Sequence, residues 1–496
     1  MAVKADKPCN GTCVTESVLR PVNRDWLARR HVMFRGNANN DNCSPRYLNA
    51  NNRPSNTNAN IGCAAQDGFY LYACSYTLPF RGNGALLRAM HKAKSLYNAA
   101  LWYYRQALDE HHLAEKEGRD PLVEYPDYYK MERKFRDERQ INYFDLPQKV
   151  SQQVLRDVQS DWRSYVAHVV RNKAYPEGSP ERKEKINPPR YKKKEGYGRL
   201  RYTIQAISFK RYPGKACPSG IDIGLDIPSF INPYRIQQLV IEPDGADYIR
   251  VTFIYKVDLA DMLTDNGRIM GIDLGVNNLA TCGTNVGPGI IINGRPLKSI
   301  NQYFNKKLAK MKSDNDALLD KELKRKVETQ RHHMTRNIER LFRKRKYKIK
   351  DYLHKASCRI FEYAAANGIT TIVVGKNAGW KQECGMGTQN NQNFVQIPHA
   401  RFIDILAYKA RARGIAFITV EESYTSKCSF IDGEDMCHHD RYLGRRIMRG
   451  LFRSKEGILI NADLNGALNI IRKAVPNAFA EGIEAVVVPP TRTLVA

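Results

Sequence analysis

Two aspartates stand where a carboxylate can take part in metal chemistry. Asp273 ends the apolar segment RIMGID and precedes a glycine turn, and Asp463 lies near the start of the helical segment NADLNGALNI. Carboxylate oxygens are the ligands that hard divalent cations prefer. Two such ions, Mg²⁺ by default, can activate water and stabilise the leaving 3′-oxygen in an in-line displacement at phosphorus. An aspartate after a strand is also a common turn residue, so spacing alone leaves both interpretations open.

The segments around these aspartates predict the elements that position them. A buried strand ends in Asp273, and NNLATCGT and PGIIINGRP supply a second and a third strand. A long charged stretch, from Asn301 to about Asn367, predicts a helical hairpin or paired helices. A fourth strand (ITTIVVGKN), a helix (ARFIDILAYKARARG), a fifth strand (IAFITVEES) and the final helix follow. This order predicts an RNase H-like fold, in which carboxylates on central strand ends and on the last helix converge.

The N-terminal part of the chain is organised differently. Residues 37–60 are rich in Asn, which predicts a flexible leader, and order is expected from Phe69, where FYLYACSYTLPF alternates like a strand. From Leu86 to about Val170 an apolar stripe recurs at helix spacing, and Tyr and Trp on it are expected in the core. Between Pro188 and Tyr255 the period is that of an antiparallel β-module. The chain is therefore predicted to be an α+β multidomain protein.

The chain carries a large excess of positive charge. Its 496 residues include 79 Lys and Arg against 51 Asp and Glu, a formal net charge of +28. Such an excess favours a nucleic-acid partner, because Lys and Arg release condensed counterions at phosphates, although a solubilising or membrane-facing surface would look similar. No stretch approaches the roughly 20 apolar residues of a membrane span, and no signal peptide is recognisable. The 11 scattered cysteines favour a reducing cytosol over a disulfide scaffold.

Several motifs in order resemble one family. GIDLGVNNLAT, YTSKCSF and NADLNGALNI look like the RuvC portions of TnpB and of its relatives, the eukaryotic Fanzor proteins and the type V CRISPR effectors. YTLPF followed by LYNAALWYYRQ resembles the opening of TnpB, so the resemblance covers roughly Tyr70 to Val475. It implies a metal-dependent DNA endonuclease that carries a guide RNA from its own transposable element. Double-stranded DNA beside a short adjacent motif would be the target, and an association with an element-encoded transposase is a further expectation.

The resemblance also implies a bilobed domain plan. It combines a RuvC-like nuclease domain, a β-barrel-like wedge that holds RNA, and a helical recognition lobe. Within the nuclease domain, the charged stretch of about 301–367 would be a helical insertion. The expected boundaries are a leader at 1–68, the wedge at 69–83 and 173–262, the recognition domain at 84–172, the nuclease domain at 263–426 and 458–476, a ribbon-like insert at 427–457 and a tail at 477–496.

The predicted site departs from the family pattern at one strand. Family members usually place a glutamate at the end of the fourth strand, where this chain has Gly375. The fifth strand offers Glu421 and Glu422, and neighbouring strands are only ~4.8 Å apart, so either side chain could reach the same ions. Since side chains alternate along a strand, only one should face the site. Glu422 is preferred, from its place three residues before Thr425, and Glu421 is the reserve. The expected catalytic residues and Mg²⁺ ligands are therefore Asp273, Glu422 and Asp463.

A second departure concerns zinc. TnpB relatives often carry a ribbon with two Cys-x-x-Cys knuckles, which is a strong zinc signal. This chain offers only Cys428, Cys437, His438 and His439 in that region. Adjacent ligands are poorly spaced for a tetrahedron, so a degenerate ribbon without metal is expected, with weak zinc binding as the alternative.

Basic residues interleaved with aromatics are candidates for nucleic-acid contacts. They lie in RYKKKEGY of the β-module, in GKNAGWKQ after the fourth strand, and in the basic stretch that begins at Arg441. A turn or a solvated face would look the same. The candidates are Tyr191, Lys192, Lys193, Lys194, Lys376, Asn377, Trp380, Lys381, Arg445, Arg446 and Arg449.

Two other functions stay open from the sequence. An RNA-guided DNA-binding protein that represses transcription without cutting is favoured by the missing acid at Gly375 and disfavoured by two intact aspartates. A transposase or resolvase could use an RNase H-like site without a guide, and a discrete RNA that copurifies would separate this function from the guided ones. The expected location is the cytoplasm or nucleoid in a prokaryote and the nucleus in a eukaryote.

Overall fold

The computed structural model describes most of the chain between residues 46 and 495. The described residues are 46–48, 58–66, 69–179, 182–184, 186–245, 247–258, 260–318, 335–376, 396–493 and 495. The chain divides into two compact units, one of residues 1–44 and 157–189 and the other of residues 45–156 and 190–496. In the described part of the first unit, the side chain of Asn172 accepts from the N–H of Lys183 and donates to its carbonyl, both at 2.8 Å.

The protein is a mixed α/β structure with several sheets. Its described helices are α1 (Gly84–Glu117), α2 (Tyr128–Asp137), α3 (Ile141–Phe144), α4 (Gln148–Lys173), α5 (Arg295–Leu318), α6 (Arg336–Ala366), α7 (His399–Arg411) and α8 (Ala462–Ala474). Its strands are β1 (Arg46–Leu48), β2 (Asn58–Gln66), β3 (Phe69–Pro79), β4 (Leu200–Thr203), β5 (Ile207–Ser208), β6 (Lys215–Pro218), β7 (Leu225–Asp226), β8 (Ile236–Pro243), β9 (Tyr248–Asp258), β10 (Ile269–Leu274), β11 (Asn278–Thr284), β12 (Ile290–Asn293), β13 (Thr371–Gly375), β14 (Ala416–Val420), β15 (Arg445–Met448), β16 (Leu451–Arg453), β17 (Leu459–Asn461) and β18 (Thr491–Thr493). None of the described helices has the length and apolar composition needed to cross a membrane.

The first sheet is antiparallel and has the order β1-β2-β3-β9-β8-β4. β3 and β9 pair along all 11 residues of each strand. In β9 the side chains of Ile249, Val251 and Phe253 alternate onto a buried face, as expected for a strand with one face in the core. The predicted antiparallel β-module is present, but its first strand begins at Leu200 rather than near Pro188.

Order in the chain begins earlier than the sequence predicted. The expected leader of residues 1–68 contains the strands β1 and β2, which extend the first sheet beyond β3. The predicted start at Phe69 is therefore wrong, because β2 pairs with β3 through backbone hydrogen bonds that an Asn-rich composition does not reveal. The rest of the leader lies outside the described residues.

Helix α1 carries the apolar stripe that the sequence predicted. Its buried positions include Leu86, Met90, Ala93, Leu96, Tyr97, Ala100, Leu101 and Tyr104. The expectation of core aromatics on the stripe is confirmed for Tyr97 and Tyr104, whereas Trp102 lies off the stripe and is 48% exposed. The helix ends at Gly118, whose φ of 64° is left-handed, a conformation that glycine adopts without steric cost.

The second sheet has the order β14-β13-β10-β11-β12-β18. β10 pairs in parallel with β13, and β13 with β14, while β10, β11 and β12 form an antiparallel meander. The order of elements is the predicted one, with three strands, a helical pair, a strand, a helix, a strand and, after the insert, the last helix α8. The sequence did not predict the outer strand β18, which the C-terminal tail adds in parallel to β12.

The last helix crosses the second sheet at very short range. A Cβ on Gly271 of β10 would lie 2.3 Å from the carbonyl oxygen of Ala467 in α8, and a Cβ on Gly283 of β11 would lie 2.9 Å from the side chain of Leu468. Glycine allows this close approach of helix and strand because it has no Cβ. The first turn of α8 is thereby held over the end of β10.

The charged insertion is a pair of antiparallel helices, α5 and α6. The rings of Phe304 and Phe342 meet edge to face at 4.9 Å, and Nε of Arg345 donates to Oδ1 of Asn301 at 2.8 Å. The predicted helical hairpin is confirmed for the described residues of these two helices. Residues 319–334 lie outside the description.

Asp244, in the turn after β8, joins the first sheet to α6 within the second unit. Its fully buried carboxylate accepts hydrogen bonds from Arg343 at 3.1 Å and Lys346 at 3.0 Å, and from the hydroxyl of Tyr347. Burial by itself raises the pKa of Asp244, but the charge of Lys346, the Tyr347 hydrogen bond and the charge of Arg250 outweigh it, so the pKa lies below its usual value. These cationic partners therefore stabilise the ionised carboxylate of Asp244, and the carboxylate in turn neutralises their charge.

We expect Asp244→Asn to lower the free energy of unfolding by about 3 kcal/mol, near the lower end for breaking a buried ion pair, because Lys346 keeps 40% of its side chain exposed. The measurement is the urea midpoint at pH 7. Asp247→Asn is the matched control, since Asp247 pairs with Arg340 where both side chains reach solvent and such a pair contributes about 0–1 kcal/mol. Equal midpoints for the two variants would contradict the assignment.

Candidate metal centre

The candidate centre lies at the edge of the second sheet where β10 ends. Asp273 is the penultimate residue of β10 and is partly buried. Burial raises the pKa of Asp273 well above its usual value, and the charges of Glu422 and Asp463 raise it further, while the charge of Arg446 opposes them. Neighbouring carboxylates have this effect only over a few ångströms. The structure thus brings together the three carboxylates that the sequence nominated.

Asp463 is held in the first turn of α8. The side chain of Asn461 caps the helix and accepts from the N–H groups of Asp463 and Leu464 at 3.0 Å. The carboxylate of Asp463 accepts from Nδ2 of Asn278 at 2.8 Å and from Nη2 of Arg446 at 2.9 Å. A negative charge is favoured here, because the N-terminus of a helix carries partial positive charge.

Glu422 occupies the space that Gly375 leaves open. β13 and β14 pair in parallel up to Gly375↔Val420, and Glu422 follows two residues later. A Cβ on Gly375 would lie 2.2 Å from Oε1 of Glu422, so this carboxylate lies directly over the end of β13. Burial raises the pKa of Glu422 to about 7. Glu421, the reserve candidate, is exposed.

The donor set suits a hard divalent cation, since all three side chains offer carboxylate oxygens. Burial and, after it, the charges of Glu422 and Asp463 raise the pKa of Asp273, and a cation would offset these effects. The carboxylates are not arranged as a finished site. In the part of the chain that the structure describes, no group of three or more His, Cys, Asp and Glu side chains is placed to hold a metal ion. Each oxygen of Asp463 accepts one hydrogen bond, from Asn278 or from Arg446, and keeps a second lone pair through which it can bind a cation.

Two further residues support the centre, and neither is among the predicted site residues. Asn278, at the start of β11, bonds Asp463, and His399, at the start of α7, lies with Nε2 2.9 Å from the carbonyl of Gly275 in the turn between β10 and β11. Asn278 stands within the motif GIDLGVNNLAT that pointed to Asp273, which was the available signal. His399 carried none, because its partner is a backbone carbonyl 124 positions away.

The ribbon-like insert is organised around a buried glutamate. Glu434 accepts from the N–H of Ser429 at 2.7 Å and from the N–H of Leu443 at 2.8 Å. Neither bond involves a predicted zinc ligand. This carboxylate therefore ties two loops of the insert together through their backbones.

Three of the four candidate zinc ligands, Cys428, Cys437 and His439, lie near the carbonyl of Asp435, and Nε2 of His439 is 2.8 Å from it. Sγ of Cys428 is 3.3 Å from the carbonyl of Asp435, and burial raises the pKa of Cys428 to about 11, which disfavours the thiolate that zinc requires. Sγ of Cys437 lies 3.4 Å from Nε2 of His439, while the ring of His438 faces Tyr424. Zinc binding by this set stays a prediction.

The basic segment Tyr191–Lys194 lies along α1 and not in a strand. Asn98 of α1 accepts from the N–H of Lys192 at 2.8 Å and donates to its carbonyl at 2.9 Å, and Nζ of Lys192 lies over the ring of Tyr97 at 4.2 Å. Lys192 is therefore engaged within the protein. Lys193, Lys194 and Tyr191 are exposed, so they remain candidates for contact with a polyanion.

The other basic candidates fall in two places. Lys376 is exposed directly after β13, whereas Asn377, Trp380 and Lys381 lie outside the described residues. Arg445 and Arg446 are exposed on β15, and Arg449 is exposed in the turn that follows. The structure thus brings one of these arginines, Arg446, to the carboxylate centre.

Two family models match the C-terminal part of the chain. Residues 252–381 match the family described as a probable transposase, OrfB_IS605. Residues 399–470 match the Cas12f1-like TNB domain. The two matches together include Asp273, Glu422 and Asp463.

Similar proteins were found among sequences and among solved structures. The TnpB-like protein ORF457 of Acidianus two-tailed virus is 27% identical over 212 residues, which are 42% of each chain. The match thus spans less than half of that relative. A Cas12f1–sgRNA–target DNA complex covers 80% of this chain and 98% of its own at 15% identity, with a TM-score of 0.29. A CRISPR–Cas12f ternary complex covers 78% and 81% at 16% identity, with a TM-score of 0.30. Scores this low indicate only partial similarity.

We expect divalent-cation binding to depend on pH through the carboxyl of Glu422. Its pKa of about 7 means that the proton competes with the cation below pH 7, so Mn²⁺ affinity should fall by up to about tenfold per pH unit there and level off above it. Calorimetric titration between pH 5.5 and 8.5 measures this profile. Glu422→Gln should flatten it, and the exposed Glu421→Gln should not; a flat wild-type profile would refute the site.

Proposed function

We propose that this chain, which belongs to the TnpB family, is an RNA-guided DNA endonuclease that cuts with a RuvC-like carboxylate site. The observation that carries the proposal is the position of Asp273, Glu422 and Asp463 at one edge of the second sheet. β10 and β13 pair in parallel, Glu422 lies over Gly375 at the end of β13, and a Cβ on Gly466, three residues after Asp463 in α8, would lie 3.0 Å from Oδ2 of Asp273. The glutamate of this site comes from the segment after β14, and its carboxylate fills the space over Gly375.

The sheet supports a RuvC-like, RNase H-like domain. Apart from the edge strand β18, its five strands have the order β14-β13-β10-β11-β12, with β11 antiparallel to both of its neighbours. The last helix α8 packs over its centre and returns an aspartate to the end of β10. A RuvC-like active site on such a sheet requires carboxylates at these positions, and the chain carries Asp273, Glu422 and Asp463 there.

Bound Mg²⁺, as two ions, would activate a water and stabilise the leaving 3′-oxygen. Asp273, Glu422 and Asp463 would hold the ions. Asn278 would keep Asp463 oriented, because it bonds the oxygen that Arg446 does not use. Arg446 donates to one oxygen of Asp463, and its other N–H groups would lie beside the site, where a DNA phosphate can accept from them.

The proposed partners are a guide RNA and double-stranded DNA. The net charge of +28 supports polyanionic partners. We assign the RNA-holding wedge to the first sheet and the recognition lobe to helices α1–α4. Exposed Lys193, Lys194 and Tyr191 are proposed RNA contacts, and exposed Arg445 and Arg449 are proposed DNA contacts.

A binding protein without nuclease activity is the second candidate. It is favoured by Gly375, which replaces the usual acid, and by the ion pair of Asp463 with Arg446. A guide-independent transposase is the third, and the match to a family described as a probable transposase bears on it. Sequencing the RNA that copurifies with the protein, expressed with its flanking element DNA, separates the third from the other two.

Asp273→Ala should abolish cleavage of a guide-matched plasmid in Mg²⁺ and leave RNA binding unchanged, because Asp273 lies in the carboxylate centre and away from the proposed wedge. Gel analysis of the plasmid and sequencing of the bound RNA give the two readouts. The control is Asp265→Ala, a loop aspartate before β10. Retained cutting by the Asp273 variant would overturn the site.

The origin of the third carboxylate can be tested by moving it. Glu422→Ala should reduce cleavage at least about 100-fold, as expected for loss of a metal ligand, and Gly375→Glu in the same chain should restore part of it, since the two positions share one space. Gly375→Ala alone should also reduce cleavage, because its Cβ displaces the carboxylate of Glu422. If Glu422→Ala cuts like the wild type, the relocated glutamate is wrong.

A further inference from the structure

Helix α5 presents an exposed face of one aromatic ring and three lysines. Lys306 and Lys307 stand three and four residues after Tyr303, and Lys310 stands four and three residues after them, so the four side chains share one face. All four are exposed, and Tyr303 exposes 59% of its surface. The buried face of the helix, with Leu297, Asn301 and Phe304, lies on the other side. We call the exposed set the Tyr303 face.

Acidic residues of α5 flank the Tyr303 face only at its far end. The first of them is Asp314, one turn beyond Lys310, and it is a helix neighbour of that lysine alone. Within the described part of the chain, none of the three lysines forms an ion pair with an acidic side chain. Lys306 and Lys307 therefore have no acidic neighbour on the helix, which favours an anionic partner.

Helix α5, which carries the Tyr303 face, starts close to the carboxylate centre. The N–H of Gly294, just before α5, donates to the carbonyl of Asn277 at 2.8 Å, and the next residue, Asn278, bonds Asp463. At 1.5 Å per residue, Tyr303 lies about 12 Å and Lys310 about 22 Å along the axis from the helix start. The face therefore leads away from the edge of the sheet that holds the three carboxylates.

We propose that the Tyr303 face binds single-stranded DNA next to the cut, with one unpaired base stacked on Tyr303 and phosphates on the lysines. An exposed ring beside lysines suits a single strand, because stacking needs a base that is not paired. A duplex would use the lysines alone. The inference rests on the proposed nuclease function only where it identifies the bound strand as the DNA that is cut. Binding of a single strand to this face does not require cleavage.

The test uses the full-length protein in EDTA, with any RNA that copurifies, and a fluorescein-labelled 20-nucleotide oligo-dT. Removing three phosphate contacts should lower the magnitude of the slope of log K against log[KCl] by about 2, at roughly 0.7 per contact for single strands. The variant is Lys306→Ala/Lys307→Ala/Lys310→Ala. The charge-matched control, Lys344→Ala/Lys348→Ala/Arg359→Ala, removes three exposed basic side chains of α6, which carry no proposed nucleic-acid contact, and should keep the wild-type slope.

Stacking is tested separately at Tyr303. Tyr303→Ala should weaken oligo-dT binding by about 5- to 150-fold, and Tyr303→Phe should bind like the wild type, because both aromatic rings stack. Neither change should alter binding of a blunt DNA duplex. Unchanged single-strand affinity in Tyr303→Ala, an equal loss for duplex, or an unchanged salt slope in the triple lysine variant would each overturn the proposal.

These outcomes do not depend on the nuclease proposal. If Asp273→Ala still cuts, or no RNA copurifies, the function fails while oligo-dT binding can still report on the Tyr303 face. If cleavage needs Asp273 but the variants of the Tyr303 face bind normally, the function stands and the surface is wrong.

Discussion

Three carboxylates at one edge of a sheet repel each other, and the rest of the site is built around that repulsion. The pKa of Asp273 shows it, because burial and the charges of Glu422 and Asp463 all act against ionisation of its carboxyl. Arg446 and the amide of Asn278 offset part of the repulsion by bonding Asp463. Replacing one of the acids with a neutral residue would relieve this repulsion and stabilise the fold. A bound cation would relieve the same repulsion with all three acids in place.

Close backbone packing makes the cluster possible. α8 can bring Asp463 to the end of β10 because Gly271 and Gly466 leave room, the first for the carbonyl of Ala467 and the second for the carboxylate of Asp273. The empty position of Gly375 works in the same way, since any side chain there would meet Glu422. The glycine at position 375 and the position of the Glu422 carboxylate therefore depend on each other, because both use the same space.

The two helices of the insertion contact the first sheet at one place and the carboxylate edge of the second sheet at another. Through Asp244, α6 is fixed to the first sheet by a buried set of charges, while α5 begins beside the turn that follows Asp273 and carries the Tyr303 face outward. The insertion therefore links the sheet proposed to hold RNA with the edge proposed to cut DNA. Changes at Asp244 are expected to affect both, since breaking a buried ion pair leaves charges without partners.

The sequence by itself determined the order of elements, the stripe of α1 and the identity of the acidic residues, because period, turn residues and short motifs are local properties. It could not locate β18, whose partner β12 is distant in the chain, nor β1 and β2, whose Asn-rich segments lack the apolar alternation of a strand although β2 pairs with the adjacent β3. Nor could it predict the contacts of Lys192, which depend on Asn98 nearly a hundred residues away. The sequence identified Glu421 and Glu422 as candidates, but Glu422 could be preferred only from its spacing to Thr425. Tertiary structure alone placed the carboxylate of Glu422 over Gly375 and left Glu421 in solvent, because the parallel pairing of β13 with β14 fixes which side chain meets the end of the neighbouring strand.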